Sequence, residues 1–166
     1  MYTNKGLTLL DFLCGLVVLF VSILEAHSLL QNALRNYQCR TTISYIHSQL
    51  TIARHWAISH KARVYMCPSA NGSSCNLSTN WNSGQLIYST TTDGPYTNTT
   101  SLQTIHFASA TPKNIHVYTT NGRQSVRFLP DGRSAGSNVC FRVYLEDQLM
   151  GLIFVNNLGR IRSVYL

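Results

Sequence analysis

Two arginines stand two residues apart near the C-terminus, Arg160 and Arg162 in the closing segment "NNLGRIRSVYL". On a β-strand residues i and i+2 share a face, so both guanidinium groups point one way and Ile161 points the other. No acid follows Asp147 in the chain to answer them. A pair of same-face arginines suits phosphate, because each planar fork makes two charge-assisted hydrogen bonds to phosphate oxygens. The plainer alternative is a solvated edge strand, where charge prevents sheet-to-sheet aggregation. Gly159 precedes the pair, and a glycine there adopts positive φ and lets backbone approach a row of phosphates. Two more arginines follow turn signals, Asn121-Gly122-Arg123 and Asp131-Gly132-Arg133, and they widen a basic patch if those turns lie near the closing hairpin. Arg127 and Arg142 read as strand residues, either members of that patch or partners for Glu146 and Asp147.

Other chemistries find little support. The histidines (27, 47, 55, 60, 106 and 116) form no H-E-x-x-H, and none stands four residues from another. The acids number 6, too few for a paired-carboxylate site, and no phosphate-binding G-x-x-x-x-G-K-[ST] loop occurs. Catalytic residues, metal ligands and cofactors are therefore all expected to be absent. With 13 Lys and Arg the formal charge is +7, a field that draws polyanions such as nucleic acid or anionic headgroups. The 5 cysteines lack C-x-x-C or zinc-ligand spacing. In an oxidising compartment Cys67 and Cys75 close the polar loop "CPSANGSSC" as a disulfide. Cys39 with Cys140 is a possible second bridge, and the odd count leaves one thiol over, for which Cys14 is the first choice.

The elements that must position these groups read as one helix and one β-domain. Leu7 to Leu24 is apolar and, at about 1.5 Å per residue, nearly spans a hydrocarbon core. Asp11 stands within it although a bare carboxylate in lipid costs several kcal/mol. No small-residue cleavage site follows the run. From Glu25 to His60 there is no proline or glycine, so the helix continues. Leu30, Ala33, Leu34, Tyr37 and Thr41 form one stripe, and Ile43, Ile46, Leu50, Ala53 and Ala57 form another roughly opposite. The face switch near Thr41 gives the two halves different partners. After Lys61 the texture is short β-branched and aromatic runs between turns, predicting strands at 64–67, 85–89, 104–107, 115–119, 125–129, 139–145, 149–155 and 160–165. The stretch 89–101 reads as a polar loop. Tyr118, Tyr144 and Tyr165 could stack on bases, but strand aromatics are more often core, and core is the expectation here.

Taken in order, several fragments resemble one family. Lys5-Gly6 before an apolar helix with Asp11 five positions in is similar to the class III leader of type IV pilins and pseudopilins. "AR..AI" at 53–58, the 67–75 loop, "W..G..IY" at 81–88, "RFLPDG" at 127–132 and "GRIR" at 159–162 resemble the FimT/GspH family of minor pilins and pseudopilins. The resemblance implies an α+β, type IV pilin-like fold. Its long N-terminal helix is transmembrane in the first half and packed on an antiparallel β-sheet domain in the second. It implies a leader at 1–6, a membrane or filament-core helix at 7–24, an amphipathic continuation at 25–60 and a globular domain at 61–166. It implies prepilin peptidase cleavage after Gly6, N-methylation of Leu7 and a filament-assembly role for Asp11, with Leu7 and Asp11 standing where the family usually has Phe and Glu. Expected partners are other major and minor pilins, the inner membrane before assembly, and DNA. The domain would face the periplasm, then the cell surface in a pilus. A G-R-x-R motif is associated with DNA-binding members, and Gly159, Arg160 and Arg162 match it. The reading is a minor pilin that binds DNA without sequence preference through Arg160, Arg162, Arg123 and Arg133 during natural transformation. The alternative is a structural GspH-type pseudopilin without DNA binding.

Overall fold

The computed structural model describes residues 9–90, 103–120, 122–134, 136 and 138–166. The expected leader, with Gly6 and Leu7, lies outside them, as do Asn121 and most of the polar loop. The chain divides into two compact units, Met1–Tyr37 and Gln38–Leu166, and helix α1 (Leu9–His60) contributes to both.

In the first unit the helix carries Asp11 in its opening turn, where a carboxylate is favoured by the helix dipole. Large apolar side chains from Leu9 to Ile23 are exposed, Leu9 at 82% and Ile23 at 65%. Among the described residues no helix is long and apolar enough to cross a membrane. The described part of the apolar run starts at Leu9, two residues after its expected start.

In the second unit the helix buries one stripe. Cys39, Ile43, Ile46, Leu50, Ala53 and Ala57 are all fully buried, spaced four and three apart as a helix face requires. The stripe begins at Cys39, two residues before the expected switch. The helix stops at Lys61, whose φ of 50° gives it a left-handed cap, with Ala62 N donating to Ala57 O.

Eight strands follow among the described residues: β1 (Arg63–Pro68), β2 (Gln85–Thr90), β3 (Gln103–Ala108), β4 (Ile115–Thr119), β5 (Val126–Phe128), β6 (Val139–Leu145), β7 (Gln148–Val155) and β8 (Ile161–Tyr165). They form two antiparallel four-stranded sheets, β3-β2-β1-β5 and β4-β6-β7-β8. Strand β5 leaves its sequence neighbours to pair with β1, so β4 and β6 become partners across it. Alternation on the second sheet sends Ile115, Val117, Phe141, Val143, Ile153 and Val155 onto the helix stripe. Val64, Met66, Ile87, Val126 and Phe128 come to the same core from the first sheet. Gly151 allows close approach, since a Cβ there would meet Ile43 Cδ1 and the Val164 carbonyl oxygen. Trp81 fills the end of the core edge-on to Phe141, and its Nε1 donates to Thr119 Oγ1. This core belongs wholly to Gln38–Leu166, which supports independent folding of that unit.

Cys67 and Cys75 are bonded. Cys39 and Cys140 are not, which corrects the suggested second bridge. Cys39 sits under the sheet in the core, whereas Cys140 alternates with Phe141 and lies on the opposite face. Burial pushes both thiols above their ordinary pKa, and Arg142 partly offsets this at Cys140.

Candidate nucleic-acid interface

The turns that carry the singled-out arginines converge on one end of the second sheet. Antiparallel pairing sets the end of β4 beside the start of β6, and the end of β7 beside the start of β8. Thr119 pairs with Phe141, Val139 with Val155, and Val155 with Ile161. With strands about 4.8 Å apart, the β4 and β8 ends are separated by roughly 14 Å.

The closing turn is built by Asn156. Its N–H donates to Arg160 O, its Oδ1 accepts from Arg160 N at 2.9 Å, and its carbonyl accepts from Gly159 N at 2.8 Å. Gly159 has φ 74°, so a side chain there would be strained. Arg160 stands just before β8 and Arg162 within it, opposite Phe154, and both are exposed. Ile161 between them turns inward to the core. Arg123 is exposed on the turn after β4, where its N–H donates to Thr120 O and its carbonyl accepts from Thr119 Oγ1.

The turn at 131–133 does reach the closing hairpin. Ser134 N donates to Asn157 O at 3.0 Å, and a Cβ on Gly159 would overlap the Gly132 carbonyl oxygen. Gly159 is itself buried. The close approach that this glycine permits within the fold is to the protein's own backbone. Gly132 in turn presses on the helix, where a Cβ would meet Ile58 Cδ1 at 2.7 Å. Arg54 Nε donates to Gly132 O at 3.0 Å. Helix, 131–133 turn and closing turn are thus stacked in series. Arg54, absent from the arginines singled out in the sequence, positions both turns. Its place beside the fully buried Ala53, within the "AR..AI" fragment, was the available signal.

Arg133 differs from the other three. Its Nε pairs with Asp131 Oδ2 and its backbone N–H with Asp131 Oδ1. The Arg133 backbone N–H, and after it the guanidinium, hold the Asp131 carboxyl below its ordinary pKa. Arg133 consequently offers little net charge. Arg123, Arg160 and Arg162 form no ion pair among the described residues. The end of the sheet therefore carries three uncompensated guanidinium groups and one compensated one.

Tyr118, Tyr144 and Tyr165 are not buried in the core. Tyr118 is 38% exposed and Tyr165 46%, and Tyr144 is half-buried on the outward face. Tyr118 and Tyr144 stand on strand positions opposite the core-facing residues, so alternation was the signal that composition obscured, whereas Tyr165 shares the inward face of Ile161 at the rim of the core. Tyr165 donates to or accepts from Ser44 Oγ on the helix, with Arg40 over its ring at 5.9 Å. Among the described residues no group of three or more His, Cys, Asp or Glu side chains could hold a metal ion.

A family model described as type II transport protein GspH matches residues 43–159. Two crystal structures of the Pseudomonas aeruginosa type IV minor pilin FimU, in space groups P21 and P65, are similar in fold. Each gives a TM-score of 0.57 at 12% identity. The alignments cover 74% and 75% of this chain and 85% and 91% of the pilin chains. A comparison with curated protein sequences finds no match.

Proposed function

The chain belongs to the GspH family of type II transport proteins, and from that premise we propose that it is a minor type IV pilin that binds extracellular DNA during DNA uptake. Arg160, Arg162 and Arg123 hold the phosphate backbone, and Arg133 contributes once Asp131 is neutralised or displaced. Before assembly the protein is cleaved after Gly6 by prepilin peptidase, N-methylated at Leu7 and anchored in the inner membrane by 7–24. Its β-domain then faces the periplasm. In the filament Asp11 meets a neighbouring subunit's N-terminus, which neutralises its buried charge. The exposed apolar side chains of Leu9–Ile23 support that use.

The observation that carries the DNA reading is the gathering of three uncompensated arginines at one end of the second sheet. Contacts of this kind go to phosphate, so binding is indifferent to base sequence and falls steeply with salt. Kd lies in the range of about 10⁻⁴–10⁻⁶ M expected of non-specific sites, and repeated copies along a filament add avidity.

The test titrates the Gln38–Leu166 unit into labelled duplexes of two unrelated sequences at low and moderate salt, beside an Arg160→Gln/Arg162→Gln variant. Equal, salt-sensitive affinities that the variant loses support the proposal. No binding at low salt overturns it and leaves the second reading, a structural GspH-type pseudopilin of a secretion or pilus tip complex. That reading is favoured by the description of the matched family model itself.

A further inference from the structure

The outward face of the second sheet carries aromatic rings where a purely solvated face would carry small polar residues. His116 and Tyr118 stack at 6.4 Å between centroids, and Tyr118 meets Tyr144 edge-on at 6.1 Å. Asn82 Nδ2 lies 3.0 Å from His116 Nδ1 and holds that ring in place. Tyr118 pairs with Arg142 on β6, and Phe154 on β7 with Arg162 on β8, so two of the outward rings each have a guanidinium on the next strand, while Tyr144 pairs with His116. Arg142 is exposed and Phe154 is 40% exposed. Tyr118, Tyr144 and Arg142 line an open hollow of about 480 Å³, within the usual range for small-molecule sites. At its far end stand Glu146 and Asp147.

We propose that this face is a base-stacking platform for single-stranded DNA, with Tyr118 and Tyr144 taking bases and Arg142 and Arg162 the adjoining phosphates. The proposal rests on the DNA reading above and adds which form of DNA is held and where. Four-stranded antiparallel sheets that expose aromatic side chains stack two or three bases in this manner. A base offers its π-face to tyrosine whatever its identity, so stacking is as sequence-tolerant as the phosphate contacts. Charge complementarity selects a nucleic acid over an apolar protein segment, because Tyr118 and Phe154 each have a guanidinium, Arg142 and Arg162, as a cross-strand neighbour. Glu146 and Asp147 repel phosphate from one end of the hollow. The backbone therefore runs away from them, toward Arg162 and Arg160 at the other end. The platform and the arginine end are one continuous surface. In a duplex the bases are stacked on each other, so only the arginine end can engage it.

The experiment measures fluorescence anisotropy of labelled oligo(dT), an abasic strand of equal length and a duplex. It compares the Gln38–Leu166 unit with its Tyr118→Ala, Tyr118→Phe and Arg160→Gln/Arg162→Gln variants. We expect oligo(dT) to bind more tightly than the abasic strand. Tyr118→Ala should weaken oligo(dT) about tenfold while leaving the abasic strand and the duplex unchanged, and Tyr118→Phe should restore it. The arginine variant should weaken all three. An unchanged oligo(dT) affinity in Tyr118→Ala, or an equal loss on the abasic strand, overturns the platform. The arginine end then stands or falls by its own variant's loss of duplex binding. Absence of binding to any of the three overturns both readings. Thermal melting of each variant separates lost binding from lost folding.

Discussion

Replacing Gly159 by alanine tests whether the series of helix, 131–133 turn and closing turn is what holds the arginines in place. The added Cβ would overlap the Gly132 carbonyl oxygen and come within 3.2 Å of Arg54 Nε. Both obstacles are held, the first being backbone and the second already bonded to that same carbonyl. At φ 74° the alanine is also strained by about 1 kcal/mol. Relief requires the two turns to separate. Separation breaks the Arg54–Gly132 hydrogen bond, worth about 1.5–3 kcal/mol because its donor is charged. It also breaks the Ser134–Asn157 bond, worth about 1 kcal/mol. The sum is roughly 4 kcal/mol, a large part of the stability of about 5–15 kcal/mol typical of a domain. At about 4 °C per kcal/mol for a unit of this size, the melting midpoint falls by about 15 °C. Gly122→Ala is the control. It has a similar φ of 77° but nothing within 4 Å of the new Cβ, so only the strain of about 1 kcal/mol applies. Calorimetry or urea titration of the Gln38–Leu166 unit reads both. Equal losses in the two variants would refute the packing role of Gly159 and return it to the phosphate-approach role read from its motif.

Opening the Cys67–Cys75 bridge in a Cys67→Ser/Cys75→Ser variant should cost about 2.5 kcal/mol, as closure of so short a loop predicts; denaturation with and without reductant checks it. Asp131→Asn should uncover Arg133 and strengthen duplex binding several-fold, with the salt slope steepening by about 0.9 for one more phosphate contact. An unchanged slope would mean that Arg133 faces away from DNA. Because the folded Asp131 pKa is depressed, its contribution to stability is present above the unfolded pKa and is lost as pH falls through the lower folded value. A carbon-detected NMR titration should place that carboxyl below the ordinary aspartate range, and Arg133→Gln should raise it. Under oxidising conditions mass spectrometry of the Gln38–Leu166 unit should find Cys39 and Cys140 as thiols, with Cys39 unreactive until the unit unfolds.

The amino-acid sequence by itself determined the local elements. An unbroken run without proline or glycine becomes the helix, and the stripe Ile43, Ile46, Leu50, Ala53 and Ala57 is its core face, because helical spacing alone puts those residues together. All eight strands lie within two residues of where alternation and turn residues predict them. The loop bridge at Cys67 and Cys75 was equally legible, since so few residues separate the two sulfurs. Only the tertiary structure decided what these elements meet. The departure of β5 to pair with β1 is a long-range choice, set by summed burial on both sheets, and no local signal records it. That choice brings the 131–133 turn against Gly159 and gives that glycine a packing contact. Packing of the helix under the second sheet puts Cys39 on one face of it, with Cys140 on the other. Asp131 quenches Arg133 from within the same turn, a local pairing, while among the described residues no acid is brought to Arg123, Arg160 or Arg162. Spacing along a chain fixes which face a side chain takes, whereas the charge and the neighbours it finds there depend on residues brought in from far along the chain.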